Sequence, residues 1–129
     1  MRRGDHGFQS LELAILFPMI LVLLAFVLVT QRSASARTRV HAAARQAARI
    51  ASTEADFAMQ QARATEIVNE MISPDRGCLG GPTTSVEPAT FGGVTGVRVR
   101  VTCEADVSGF GLGSWQATAT ADEPLDQLR

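Results

Sequence analysis

Gly7-Phe8-Gln9-Ser10-Leu11-Glu12, followed without a break by the apolar run Leu13 to Val29, decides how this chain is read. The run is 17 residues long and holds no charged or polar side chain. As a helix it spans roughly 25 Å, slightly less than a hydrocarbon core of about 30 Å. Extending it back through Leu11 and Phe8 supplies the missing length. That extension draws Glu12 into or beside the bilayer, where an unpaired carboxylate is costly and marks a functional position. Pro18 lies inside the run and removes the hydrogen bond to the Ala14 carbonyl. It is expected to kink or loosen a helix that neighbours in a membrane can cover.

On the N-terminal side stands a short leader, Met1-Arg2-Arg3-Gly4-Asp5-His6. On the C-terminal side no acid occurs between Glu12 and Glu54, whereas Arg32, Arg37, Arg39, Arg45 and Arg49 do. Such a basic band fits anionic headgroups or acidic partners, and equally a solvated helix surface. From Gln31 to Ile72 the pattern predicts a continuous helix, with Ala47, Ile50, Ala51, Phe57, Ala58, Ala64, Ile67, Val68 and Met71 near a 3.6-residue period. Neither Gly nor Pro occurs between Pro18 and Pro74, so Phe8 to Ile72 reads as one rod of roughly 97 Å. A thread of small residues, Ala44, Ala48, Ala51, Ala55, Ala58 and Ala62, suits close approach by another helix. The helix is expected to end at Ile72-Ser73, before Pro74 and Gly77.

Beyond Ile72 the chain reads as β. Gly77 to Gly96 is rich in Gly, Pro and Thr and reads as loop, with an edge strand near Thr84 to Glu87. Val97 to Ala105 alternates cleanly, with Val97, Val99, Val101, Cys103 and Ala105 on one face. Trp115 to Ala121 alternates too, and the two are expected to pair antiparallel across a loop from Asp106 to Ser114. That loop carries Phe110 and Leu112, read as folding back on the sheet rather than as a contact surface. Residues 73–129 are too few for a robust core alone, so the sheet needs the helix face, a disulfide, or both. Cys78 and Cys103 are the only cysteines. In an exported segment they read as a bridge stapling strand to helix; the alternative is two buried free thiols. The class is therefore α+β: a long N-terminal helix packed on a small antiparallel sheet.

The residues argue against an enzyme and against any cofactor. No glycine pattern matches a phosphate-binding loop. His6 and His41 are the only histidines and lie far from both cysteines, which disfavours a metal site or a Ser-His-Asp set. Tyr is absent and the arginines lack aromatic neighbours in sequence, which disfavours nucleic acid. No small-molecule substrate is suggested.

Glycine, then a hydrophobic residue, then glutamate four positions later resembles the prepilin signal of type IV pilins and pseudopilins. Gly7, Phe8 and Glu12 match it position by position. The resemblance implies cleavage by a prepilin peptidase between Gly7 and Phe8, after which the apolar helix remains, unlike a secretory signal peptide. It further implies that Glu12 pairs with the new N-terminal amine of a neighbouring subunit. Glu12-Leu13-Ala14, Phe17-Pro18 and Ala42-Ala43-Ala44-Arg45-Gln46-Ala47-Ala48-Arg49 are similar to TadE-like pilin-related proteins of tight-adherence (Tad/Flp) pilus systems. The length suits a minor pilin or pseudopilin serving adhesion or secretion. Its implied partners are membrane lipid, the peptidase, other pilin or pseudopilin subunits and the Tad assembly machinery.

The expected organisation is a cleaved leader at 1–7, a transmembrane helix at 8–30, an amphipathic continuation at 31–72 and an extracytoplasmic β-domain at 73–129. The positive-inside rule, applied to five arginines beyond the span, favours a cytoplasmic C-terminus. The leader motif and the cysteines favour the reverse, with a cytoplasmic N-terminus in the cell membrane, and the motif is preferred. Two alternatives are a secreted protein cut after Ala36, within Ala34-Ser35-Ala36, and a single-pass anchor carrying a binding domain.

Overall fold

The computed structural model describes residues 5–73, 78–106, 109, 111 and 113–125, with the side chains of 5–10 and 106 left aside. Helix α1 runs Asp5–Ala51 and helix α2 Phe57–Met71. Strands β1 (Thr83–Phe91), β2 (Val94–Asp106) and β3 (Ser114–Pro124) follow. The chain divides between Arg32 and Ser33 into two compact units. The class is α+β, as the sequence predicts.

In the first unit α1 continues through Pro18. Leu11, Leu13, Phe17, Val22, Leu24 and Phe26 are all more than half exposed. At the end of the apolar run, the Thr30 hydroxyl donates to the carbonyls of Val27 (2.9 Å) and Phe26 (3.1 Å), which hides its polarity within the helix.

In the second unit α1 presents a stripe of buried small residues: Val40, Ala43, Ala44, Ala47, Ala48 and Ala51. Their spacing of three and four residues places them on one face, and alanine lets that face lie close to what it covers. They join Ala64, Val68 and Ile72 of the α2 region, Val86 of β1, Val97, Val99, Val101 and Cys103 of β2, and Ala117 and Ala119 of β3 in one core. The expected thread of small residues is thus divided. Ala44, Ala48 and Ala51 are spent on the unit's own core, whereas Ala55, Ala58 and Ala62 are exposed. Phe57 and Met71, placed on the apolar face by their spacing, are also exposed.

The unbroken helix expected through Ile72 does not form, because α1 stops at Ala51. There the turn tightens, with Thr53 N–H donating to the Ile50 carbonyl and Glu54 N–H to the Ala51 carbonyl, each at 3.1 Å. The hydroxyls of Ser52 and Thr53 donate to the carbonyls of Arg49 and Ile50 (2.8 and 2.7 Å). These short polar side chains give the backbone an alternative to helix, so a break needs neither Gly nor Pro. Gln60, buried on α2, donates from Nε2 to the Glu54 carbonyl at 2.8 Å and ties the new helix to the break.

The sheet is an antiparallel meander in the order β1-β2-β3. Val86 pairs with Val99 and Ala119 with Val101. The stretch read as loop up to Gly96 is largely strand. Phe91 pairs with Val94 across Gly92-Gly93, whose φ values of 54° and 86° are those a two-residue hairpin turn demands. Cys78 and Cys103 form a disulfide, both nearly buried, with Cα atoms 5.3 Å apart. Beside it Leu79 N–H donates to the Glu104 carbonyl at 2.7 Å. The bridge fastens the connection after α2 to β2, as a staple between helix end and strand. Phe110 and Leu112 lie outside the described residues.

Candidate functional site

Glu12 sits on α1 one residue before the apolar run, with the exposed Leu11, Leu13, Ile15 and Leu16 around it. Phe8 precedes it by four residues, one helical turn. Among the described residues no ion pair or hydrogen bond engages Glu12. Its carboxylate stands at the head of α1, a helix long and apolar enough to cross a membrane, whose most apolar window is wholly unburied.

The Gly7–Phe8 bond lies within α1, which is helical from Asp5, the first residue described. Nothing between Asp5 and Phe17 breaks a helix strongly, since one glycine costs about 1 kcal/mol, and an acid in the first turn complements the helix dipole. The bond is in the first described turn of α1. Residues 1–4 and the side chain of Phe8 lie outside the described residues. Pro18 lies within the same helix, about one and two-thirds turns beyond Glu12.

Ala34-Ser35-Ala36 also lies inside α1, immediately before the buried stripe that opens at Val40. A cut after Ala36 would fall in helical backbone and shorten the element that covers the sheet.

The basic band is partly committed within the second unit. The Arg37 guanidinium lies 4.8 Å from the Trp115 ring centroid, and with His41, Gln116, Ala117 and Thr118 these two residues line a groove between α1 and β3. Arg39, Arg45 and Arg49 remain exposed. On the polar face of the sheet Arg98 donates to both carboxylate oxygens of Asp122, at 2.7 and 3.0 Å, and stacks 5.7 Å from Phe91. These hydrogen bonds raise the Arg98 pKa and hold Asp122 below the usual carboxylate range. The Phe91 ring covers Gly96, where an added Cβ would come within 2.7 Å of the ring and 2.6 Å of the Glu123 carbonyl.

The sequence reading leaves Gly7 in the leader and starts the helix at Phe8, whereas the structure has Gly7, Phe8 and Glu12 together on α1. Cys78 and Cys103 form a separate, structural feature. What spacing did not reveal is Gln61 on α2. It accepts from Val86 N–H (2.9 Å) and donates to the Thr84 carbonyl (3.0 Å), so one amide satisfies the free edge of β1. Only the presence of a long polar side chain on the α2 face toward the sheet could have hinted at it.

An apolar helix long enough to cross a bilayer, followed by a small α+β unit, fits a membrane-anchored protein. Residues 7–49 match the family model described as TadE-like protein, so the N-terminal third of the chain, from the glycine of the leader through the basic band, is TadE-like. That match indicates a membrane protein related to Tad pili. Neither the curated proteins nor the solved structures gave a significant match.

Proposed function

We propose that this chain is a minor pilin or pseudopilin of a Tad pilus, inserted by α1 with its N-terminus in the cytoplasm and its sheet outside. Prepilin peptidase cuts it between Gly7 and Phe8, and Glu12 then accepts the amine of Phe8 on a neighbouring subunit. The mature subunit takes part in pilus assembly for adhesion or secretion. The observation that carries this reading is the Gly7, Phe8 and Glu12 spacing at the head of an unburied apolar helix inside the TadE-like segment.

The physical argument concerns two charges at the membrane. A carboxylate or an ammonium buried alone costs several kcal/mol, and meeting each other offsets much of that. Before cleavage Phe8 has no free amine, so processing acts as the assembly switch and the pair sets subunit register. Cleavage requires α1 to unwind around Gly7 and Phe8. The Cys78–Cys103 disulfide supports an oxidising compartment for the sheet. Arg37, Arg39, Arg45 and Arg49 belong to a helix of a folded unit rather than to a short loop, which lessens their weight in the positive-inside rule.

Glu12→Ala tests the assembly role. The variant inserts and is processed normally but fails to enter filaments or assembly complexes recovered from cells. Full assembly of the variant would refute the pairing and return Glu12 to a tolerated charge on a plain membrane anchor.

A further inference from the structure

We propose that the groove between α1 and β3 is a binding site for the headgroup phosphate of an anionic membrane lipid, held by Arg37 and His41 beside Trp115. The groove lies within the second unit and has a volume of about 230 Å³. No acidic side chain lines it, and none occurs on α1 after Glu12.

The cation in this groove is held in place but not neutralised. The Arg37 guanidinium lies 4.8 Å from the Trp115 ring centroid, a contact that orders the side chain without using its N–H donors. Among the described residues no hydrogen bond or ion pair engages Arg37 or His41. Arg98 is the contrast: it also lies over a ring, that of Phe91, but gives two hydrogen bonds to Asp122. His41 follows Arg37 by four residues, one turn along the same flank of α1, and adds a ring N–H to the groove. An ordered guanidinium with free planar donors, next to a second N–H, suits the oxygens of a phosphate.

The anchor selects the lipid as its source. Arg37 stands eight residues beyond Val29 on the same helix, about 12 Å of rise. The polar layer of a bilayer adds about 5–8 Å on each side of the hydrocarbon. Helical side chains lean toward the N-terminus, here toward the apolar run, and a long basic side chain spans the remainder. Tryptophan is enriched at that level of a membrane. Tethering also holds the headgroups near the groove at high effective concentration, which a soluble phosphate does not share. The inference rests on α1 lying in a membrane, but not on processing or on Glu12.

The test reconstitutes the full chain in phosphatidylcholine vesicles and replaces a rising fraction of the lipid with phosphatidylglycerol. Flotation with pure phosphatidylcholine vesicles first shows the anchor in the bilayer. Trp115, the only tryptophan, reports on the groove by its emission. A saturating emission change is expected with phosphatidylglycerol, and none when inorganic phosphate is added to phosphatidylcholine vesicles instead. Arg37→Gln should weaken the apparent affinity about five-fold, the worth of one basic side chain near an anionic surface. His41→Ala should also weaken it, and removes only an exposed ring should Arg37→Gln unfold the unit. Arg39→Gln, about 200° further round α1, should leave it unchanged. No change with phosphatidylglycerol, an equal change with inorganic phosphate, equal weakening by Arg39→Gln, or no weakening by the Arg37 and His41 variants would each overturn the proposal. A chain that does not float overturns the membrane reading itself, and this site with it.

Discussion

Replacing both Cys78 and Cys103 with alanine opens a loop whose ends are 25 residues apart in sequence. In the chain-entropy treatment, closing such a loop removes about 12 cal/mol/K from the unfolded state, or about 3.5 kcal/mol at 25 °C. Alanine is the better replacement than serine, because both positions are nearly buried and a hydroxyl there would lack a partner. For a unit of roughly this size each kcal/mol moves the midpoint by about 4–8 °C, so the expected fall is about 14–28 °C. Trp115 is the only tryptophan and lies at the α1–β3 groove, so its fluorescence during thermal unfolding of the full chain in detergent reports on this unit. Reducing the unaltered protein should produce a similar fall. A midpoint moved by neither reductant nor substitution would refute the reasoning, because the core of small residues would then hold the sheet without its staple.

Gln61→Leu leaves Thr84 O and Val86 N without their partner at the β1 edge and should cost about 1–3 kcal/mol in denaturant unfolding, with no loss of membrane insertion. Gly96→Ala places a methyl group 2.6 Å from a backbone oxygen and should cost about 1–3 kcal/mol by overpacking, seen as a lowered midpoint in the same titration. Asp122 titrates below its ordinary value because Arg98 favours its charged form. The contribution is therefore present above the unfolded carboxylate pKa and lost as pH falls through the folded value. Asp122→Asn should flatten the acid limb of the stability profile while leaving neutral and alkaline pH dependence unchanged, as read by unfolding midpoints across pH.

The sequence is most legible where one periodicity acts alone. Val97, Val99, Val101 and Cys103 alternate with polar partners and are all buried on β2, and Trp115 to Ala121 behaves likewise on β3. Leu13 to Val29 reads directly as a helix long and apolar enough to cross a membrane, and Gly7, Phe8 and Glu12 stand out against it. The break after Ala51 was hidden because it is made by hydroxyls of Ser52 and Thr53, which a helix also tolerates. An Asp at position 56, directly before α2, was the available signal, since Asp favours the position before a first helical turn. Gly92-Gly93 between Phe91 and Val94 was a hairpin signal masked by the general richness in glycine around it. The stack of Arg37 on Trp115 and the clasp of Gln61 on β1 join residues 78 and about two dozen positions apart respectively. Spacing along the chain carries no trace of such contacts.

The central claim is that Gly7–Phe8 is cut and that the cut creates the amine Glu12 requires. Intact-mass measurement of the mature N-terminus, in cells with and without prepilin peptidase, tests it directly. The account predicts a chain beginning at Phe8 when the peptidase is active and one retaining residues 1–7 when it is absent. A chain still carrying Met1 beside an active peptidase, or one beginning at Arg37, would contradict it.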